Sequence, residues 1–319
     1  MNQTEPFHVH LTDLSTGIGD LLMTLCAVRA LASRGNRVTM STVPHFMQIA
    51  LASPHLFGVN YRRMPDEIFL ASWTQLQPKH QIDAVLEKCG ITDVDPNTKS
   101  LDLTIPDVMS EQIASLYPTG AVVVNPSKGW PARSWPAGKW QELVDRLVNS
   151  GIAVVAIGQT QWYGKDMVHQ LYGVTEAYDL NVFETISLLR QSAVLVSTDT
   201  GPIQMAGATG CGIVGLYSAV APQWRLPLRQ GVLGWNSVAI MPSCPHSPCY
   251  QRMCDQGKAD WSEQMKQTLA SGVPLGDAVA NWCEHAQKFM CMESIGVEQV
   301  FSATMGSYTL NHHILGDTE

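Results

Sequence analysis

Apolar residues in this chain fall in short, nearly continuous runs separated by segments with helical spacing. Residues 7–11 read as a strand, 12–19 as a Gly/Ser/Thr-rich loop, and 20–33 as a helix whose apolar positions recur every three or four residues. A second strand is expected over 37–43. Pro44, Pro54, Pro65 and Pro78 then cut the chain into short pieces, leaving a helix over 81–89 and a strand over 101–105. From Gly120 the alternation is regular, with strands over 121–125, 153–158, 193–198 and 212–217 and helical segments between them. Trp140, Leu143, Val144, Leu147 and Val148 share one face of a helix over 136–149, which opens on Pro136 and stops before Gly151. Past Pro222 the pattern weakens into loops, followed by helices near 261–271 and 275–290, and no internal repeat is visible.

Apolar strands alternating with helices specify a parallel sheet covered on both faces, the doubly wound α/β arrangement. The chain has 319 residues, enough for two domains that each bury a core. Residues 105–119, where Pro106, Pro118 and Gly120 bracket one short helical stretch, form the expected hinge, which divides the chain into 1–118 and 119–319. Hydrophobic residues at 45% and charged residues at 15% describe a globular protein. The net charge of −8 gives no general attraction to nucleic acid or anionic lipid, so any anion site is local. A basic stripe around Arg225 and Arg229 is left open as a nucleic-acid surface. No apolar run approaches the roughly 18 residues needed to cross a bilayer, and Met1 to His10 lacks a secretory pattern. The expected place is the cytoplasm, with a peripheral position at the inner membrane face as a variant.

In an open parallel sheet, ligands bind beyond the carboxyl ends of the strands, so the loops there hold the candidate chemistry. Ser15-Thr16-Gly17-Ile18-Gly19-Asp20 delivers a carboxylate to the first turn of a helix. Asp20 there either caps the helix or projects into a crevice as a general base, where proximity rather than a large pKa shift does most of the work. In the loop 125–136, Ser127, Lys128 and Arg133 converge on a helix start. Cations at a positive helix end call for an anion between them, and a phosphate is the obvious one. Asp199-Thr200-Gly201 opens another helix, where backbone N–H groups and the Thr200 hydroxyl could cradle a diphosphate, while Asp199 could serve only as an N-cap. The polar and aromatic loop 158–164 either lines a base or ribose pocket or forms a surface turn. A Gly-x-Gly-x-x-Gly after the first strand and a Walker-type Gly-Lys-Ser/Thr are both missing, which weakens nicotinamide dehydrogenase and P-loop readings.

Of the eight cysteines, Cys26, Cys89 and Cys211 stand singly in apolar or helical contexts, and the other five cluster in the last quarter. That clustering suggests a local metal or redox feature rather than a secreted disulfide framework. Four thiolates, Cys244, Cys249, Cys254 and Cys291, could hold Zn or Fe tetrahedrally in a structural site, although their spacing is not that of a common zinc finger. Reduced thiols packing a loop, or one disulfide, is the other reading.

Together, Gly19-Asp20-Leu21-Leu22 with Ala27-Val28-Arg29-Ala30-Leu31, the segment 125–140, and Val196 to Pro202 running on to Gly215-Leu216-Tyr217 resemble glycosyltransferase family 9, the heptosyltransferase-type enzymes. The resemblance spans most of the chain in the family's order. It implies a GT-B fold, two Rossmann-like domains facing a central cleft, with an acceptor-side first domain and a donor-side second domain that carries the Cys-rich segment 244–291. It further implies Asp20 as catalytic base, Ser127, Lys128 and Arg133 as ligands of the donor diphosphate, and Asp199, Thr200 and Gly201 as the second donor element. Many members have His where this chain has Gln204, an amide that donates a hydrogen bond but carries no charge. The implied reaction is inverting transfer of a heptose-like sugar from an ADP-sugar to a hydroxyl of lipopolysaccharide, another glycan, a protein or a modified nucleobase, with no cofactor needed for catalysis. The alternative of a different class is a nucleotide-sugar-binding protein that has lost turnover.

Overall fold

The computed structural model describes residues 8–13, 17–60, 68–70, 79–128, 131–162, 165–249, 283 and 289–316. The chain opens with β1 (His8–Asp13), α1 (Ile18–Ser33), β2 (Arg37–Thr42), α2 (Met47–Leu51), β3 (Gly58–Asn60), β4 (Ile68–Leu70) and α3 (Gln81–Lys88). The four strands form one parallel sheet in the order β3-β2-β1-β4. Helix α1 has buried apolar residues around most of its circumference, from Leu21 through Leu31. Such a helix needs neighbours on several sides, and α1 has them: the sheet, α3, and the helix Gly201–Ala206 of the following half.

After α4 (Asp107–Leu116) come β5 (Val122–Asn125), α5 (Ala137–Asn149), β6 (Val154–Gly158), a small hairpin of β7 (Gln161–Trp162) and β8 (Lys165–Asp166), and β9 (Thr175–Tyr178). There follow α6 (Val182–Arg190), β10 (Val194–Thr198), α7 (Gly201–Ala206), β11 (Gly212–Leu216), the hairpin β12 (Leu228–Arg229) and β13 (Val232–Leu233), and β14 (Ser237–Ile240). The helices α8 (Met290–Ser294) and α9 (Val297–Gly316) close the described chain. Six strands make a second parallel sheet in the order β14-β11-β10-β5-β6-β9. Strands β5, β10 and β11 are buried along their whole length, as expected of a sheet covered on both faces.

One covering layer is α5 with α9. Trp135 and Trp140 meet there edge to face, centroids 5.0 Å apart, and the Trp135 indole donates to the Ile295 carbonyl at 3.1 Å. On the other side, one continuous hydrophobic cluster joins Leu11, Leu21 and Ile82 of the first half to Val123, Leu195 and Ile213 of the second. Contact between α1 and α7, and between α4 and α6, carries that continuity. The short helical stretch expected in the hinge segment is α4, and it packs on α6 of the second half.

The regular strands and helices lie within a residue or two of their expected bounds. The strand expected at 101–105 is absent. Leu101, Leu103 and Ile105 are buried alternately, as in a strand, but the segment is extended coil beside α2, where the Thr104 amide donates to Ala52. Alternation reports one buried face and not a partner strand. Strands β9 and β14 and helix α9 were not anticipated. The helix expected at 261–271 and most of that at 275–290 lie outside the described residues. A basic stripe at Arg225 and Arg229 is not formed, since both residues are buried. The Arg229 guanidinium is turned inward and donates through its terminal nitrogens to the carbonyls of Thr209, Cys211 and Trp235.

Candidate active site

The carboxyl ends of the strands and the starts of the helices that follow them open onto one cleft of about 1400 Å³. It is lined by Gly17 to Asp20 at the start of α1, by Ser127 and Arg133 after β5, by Asp199 to Pro202 after β10, and by Arg225.

Asp20 sits in the first turn of α1, after an N-cap at Gly17. A Cβ on Gly17 would stand 2.7 Å from Oδ2 of Asp20, so the carboxylate is folded back over a position that only glycine leaves open. Burial pushes the Asp20 carboxyl up from 3.8 to about 6. Arg225 and Arg133 pull it down, Asp13 and Asp199 push it up, and desolvation exceeds them all. The structure therefore adds to proximity a substantial pKa shift, which the sequence reading did not expect. A carboxyl titrating near neutrality is suited to accept a proton from a hydroxyl.

Across the cleft, Arg133 Nη1 donates to the Asp199 carbonyl at 3.0 Å and lies 3.8 Å from its carboxylate. Asp199 is buried beneath it. Thr200 is the N-cap of α7, but its hydroxyl is committed within the protein. It donates to the Thr198 carbonyl at 3.1 Å and accepts from Asn125 Nδ2 at 2.8 Å. The backbone amides of Thr200 and Gly201, rather than that hydroxyl, are left for an anion. Asn125 also donates to the Ser197 hydroxyl at 3.1 Å, so this buried amide at the end of β5 ties two strand ends together. Asn125 carries no role in the sequence reading of the loop 125–136; a polar residue closing an apolar strand was the available signal.

Lys128 does not line the cleft. Its ammonium lies 3.7 Å from Asp166 of β8, so the second expected cation is turned toward the hairpin. Gln204 does line it, and donates its amide to the backbone carbonyl of Arg225. Beyond β6 the cleft continues along Gly158, Gln159 and Gln161, facing Leu180 to Phe183. Gly158 has φ +139°, and a Cβ there would be 2.5 Å from Val168, so the backbone passes where no side chain fits. The loop expected to be either a pocket wall or a surface turn is thus part of the wall.

The thiols of Cys244, Cys249, Cys283 and Cys291 lie within electrostatic reach of one another. Burial and then Cys291, Cys283 and Cys244 push the Cys249 thiol up to about 11. Cys283, outside the expected set, joins this group, while Cys254 lies outside the described residues. Among the described residues no three His, Cys, Asp or Glu side chains close on a common point as an ion requires. The expected set of Cys244, Cys249, Cys254 and Cys291 includes one residue outside the described ones and stays an expectation, and burial pushes the Cys291 thiol, like that of Cys249, up to about 11. None of the described cysteines forms a disulfide.

A family model described as glycosyltransferase family 9 (heptosyltransferase) matches residues 48–259. Among solved structures, a glycosyl transferase family 9 protein from Veillonella parvula shares 14% identity with a TM-score of 0.66, over 95% of this chain and 97% of that one. The iron-containing dodecameric glycosyltransferase TibC of enterotoxigenic E. coli shares 16% with a TM-score of 0.65, over 96% of this chain and 76% of that one. E. coli ADP-heptose LPS heptosyltransferase II shares 11% with a TM-score of 0.56, over 95% and 99%. At such identities the likeness is one of fold. No curated protein sequence matches the chain. Among the described residues no helix is long and apolar enough to cross a membrane.

Proposed function

Since the chain belongs to glycosyltransferase family 9 and is a glycosyltransferase, we propose that it transfers a heptose-like sugar from an ADP-sugar to a hydroxyl acceptor, with inversion at the anomeric carbon. The observation that carries this reading is the single cleft in which a carboxyl titrating at about 6 faces Arg133 and the amides that open α7. In this reading residues 1–118 form the acceptor-side lobe and 119–319 the donor-side lobe of a GT-B enzyme.

Asp20 takes the proton of the acceptor hydroxyl as its oxygen bonds to the anomeric carbon. The bond from that carbon to the diphosphate oxygen breaks, and the nucleoside diphosphate leaves with the electron pair. Arg133, the Ser127 hydroxyl and the Thr200 and Gly201 amides stabilise the charge growing on the leaving phosphate. Lys128 contributes from the periphery, because Asp166 already attracts it. Asp199 holds the Arg133 guanidinium in place, and Gln204 shapes the wall beside Gly19. The wall formed by Gly158, Gln159, Gln161 and Leu180 to Phe183 receives the nucleoside. Any ion held by the cysteine-rich segment would brace the loop and take no part in transfer.

Thermal denaturation with ADP, UDP, GDP and CDP tests the donor, because a ligand bound only by the folded state stabilises it by about 2.7 kcal/mol at a hundred times its Kd. ADP is expected to raise Tm most. ADP release from ADP-heptose, with candidate glycans as acceptors, tests transfer. Failure of every nucleotide to bind, or full transfer by Asp20→Asn, overturns the reading.

A further inference from the structure

Arg225 has no part in the roles above, yet its surroundings are unusually specific for a loop residue. It lies between β11 and β12, on the second half, and its side chain reaches into the wall of the first. Three side chains fix the Arg225-Leu226 dipeptide. Gln204 of α7 donates to the Arg225 carbonyl. Gln81, at the start of α3 and itself buried, accepts from Arg225 Nη1 at 2.6 Å. His80, the N-cap of α3, bonds the Leu226 carbonyl through Nε2 at 2.9 Å. Burial holds the His80 ring down to about 4, so it is neutral, and its Nε2–H donates while Nδ1 accepts from the Ile82 amide.

The guanidinium so anchored lies over the face of α1 that carries Asp20. Arg225 Nη1 is 4.0 Å from Sδ of Met23, three residues after Asp20 and therefore on the same helix face. Both Asp20 and Arg225 line the cleft. Gln204 is also packed against this helix start, 3.7 Å from where a Gly19 Cβ would be. Only 7% of Arg225 is exposed, so its charge acts with little screening by water.

Resting on the reading of Asp20 as the base, we propose that Arg225 is its positioning residue, a guanidinium supplied by the second half that holds the carboxylate of the first ionised and aimed into the cleft. Gln204 then has a role of its own: where many relatives place a histidine, the amide fixes the backbone of this arginine. The charged and titratable groups around the pair are Asp13 of β1, Arg133, Asp199, His80 and the buried Tyr217. Arg225 acts most strongly on Asp20 among the charges. Its removal leaves Arg133, with Asp13 and Asp199 opposing, around a desolvated acid.

The test is direct titration of the Asp20 carboxyl by carbon NMR of protein labelled at aspartate Cγ, with Asp20→Asn identifying the resonance. The wild-type midpoint is expected at about 6. In R225M it should move up by about one pH unit or more, as for loss of a neighbouring opposite charge, and R225K should restore most of it. The acid limb of kcat/KM for ADP release from ADP-heptose should shift with it, while KM for the donor changes little. Should R225M not fold, Gln81→Leu keeps the guanidinium without its anchor and should move the midpoint in the same direction by less. An unmoved midpoint in the variant that folds overturns the proposal, as does a loss confined to donor KM. If D20N retains transfer, the reading of Asp20 fails whatever Arg225 does. If D20N is inactive and R225M titrates as wild type, only the positioning role fails.

Discussion

Gly201 lies so close to Ile18 that a Cβ on the glycine would stand 2.5 Å from the isoleucine Cγ2. The starts of α1 and α7, one from each half, meet there, and the catalytic candidates on both depend on the spacing. Gly201→Ala should cost about 1–3 kcal/mol through overpacking and lower transfer beyond what the loss of stability explains. Adding Ile18→Ala removes the colliding methyl and should recover part of both losses, measured by thermal melts and ADP release in the double-mutant cycle.

Asp20 should make stability depend on pH in the sense opposite to a salt-bridged carboxylate. Its pKa rises from 3.8 to about 6 on folding, so the folded chain binds this proton more tightly than the unfolded one. Below pH 3.8 the group is neutral in both states and contributes nothing. As pH rises to 6 and beyond, ionising it within the fold comes to cost up to about 3 kcal/mol. Asp20→Asn is therefore expected to raise Tm relative to wild type at pH 8 and to leave it unchanged near pH 3.5. The same substitution should lower transfer by about 10²–10⁴-fold, with wild-type activity falling on the acid side of about pH 6.

Arg133 and Lys128 should separate sharply. Arg133 lines the cleft, whereas Lys128 turns to Asp166. Loss of a charge-assisted hydrogen bond costs about 1.5–3 kcal/mol, so Arg133→Ala should weaken ADP binding about 10- to 100-fold. Lys128→Ala should weaken it by less than about threefold, as for a screened surface charge. Calorimetric titration of both variants decides this, and equal losses would return Lys128 to the diphosphate.

Asn125→Ala should remove the two donations that tie the Ser197 and Thr200 hydroxyls, themselves 3.0 Å apart, to the end of β5. Each hydrogen bond so lost costs about 0.5–1.5 kcal/mol. The N-cap of α7 loses its lateral support with them, so ADP affinity should fall along with Tm even though Asn125 need not touch the nucleotide. Unchanged ADP affinity in a destabilised N125A would confine the residue to a structural role.

What the sequence made legible follows from how each feature is encoded. The strands of the second sheet are uninterrupted apolar runs buried on both faces, and α5 shows its face through Trp140, Leu143 and Leu147. Such local patterns survive without knowledge of neighbours. Edge strand β14 is half exposed and carries no such run, and 101–105 alternates without a partner strand. Of the site, Asp20, Arg133, Asp199 and Gly201 were visible because each follows a strand and opens a helical turn. Arg225 was legible only as charge: its meaning depends on Gln81, 144 residues away in sequence. The orientation of Lys128 was likewise set by a hairpin too short to show in the pattern.

The hydrophobic cluster that runs from Leu11 and Ile82 into Val123 and Ile213 leaves the first half without a private interior, while the second keeps one of its own beneath α5 and α9. Cutting the chain near residue 118 would strip α1 and α6 of their oily neighbours and leave two fragments prone to aggregate. The intact chain should melt in one calorimetric step.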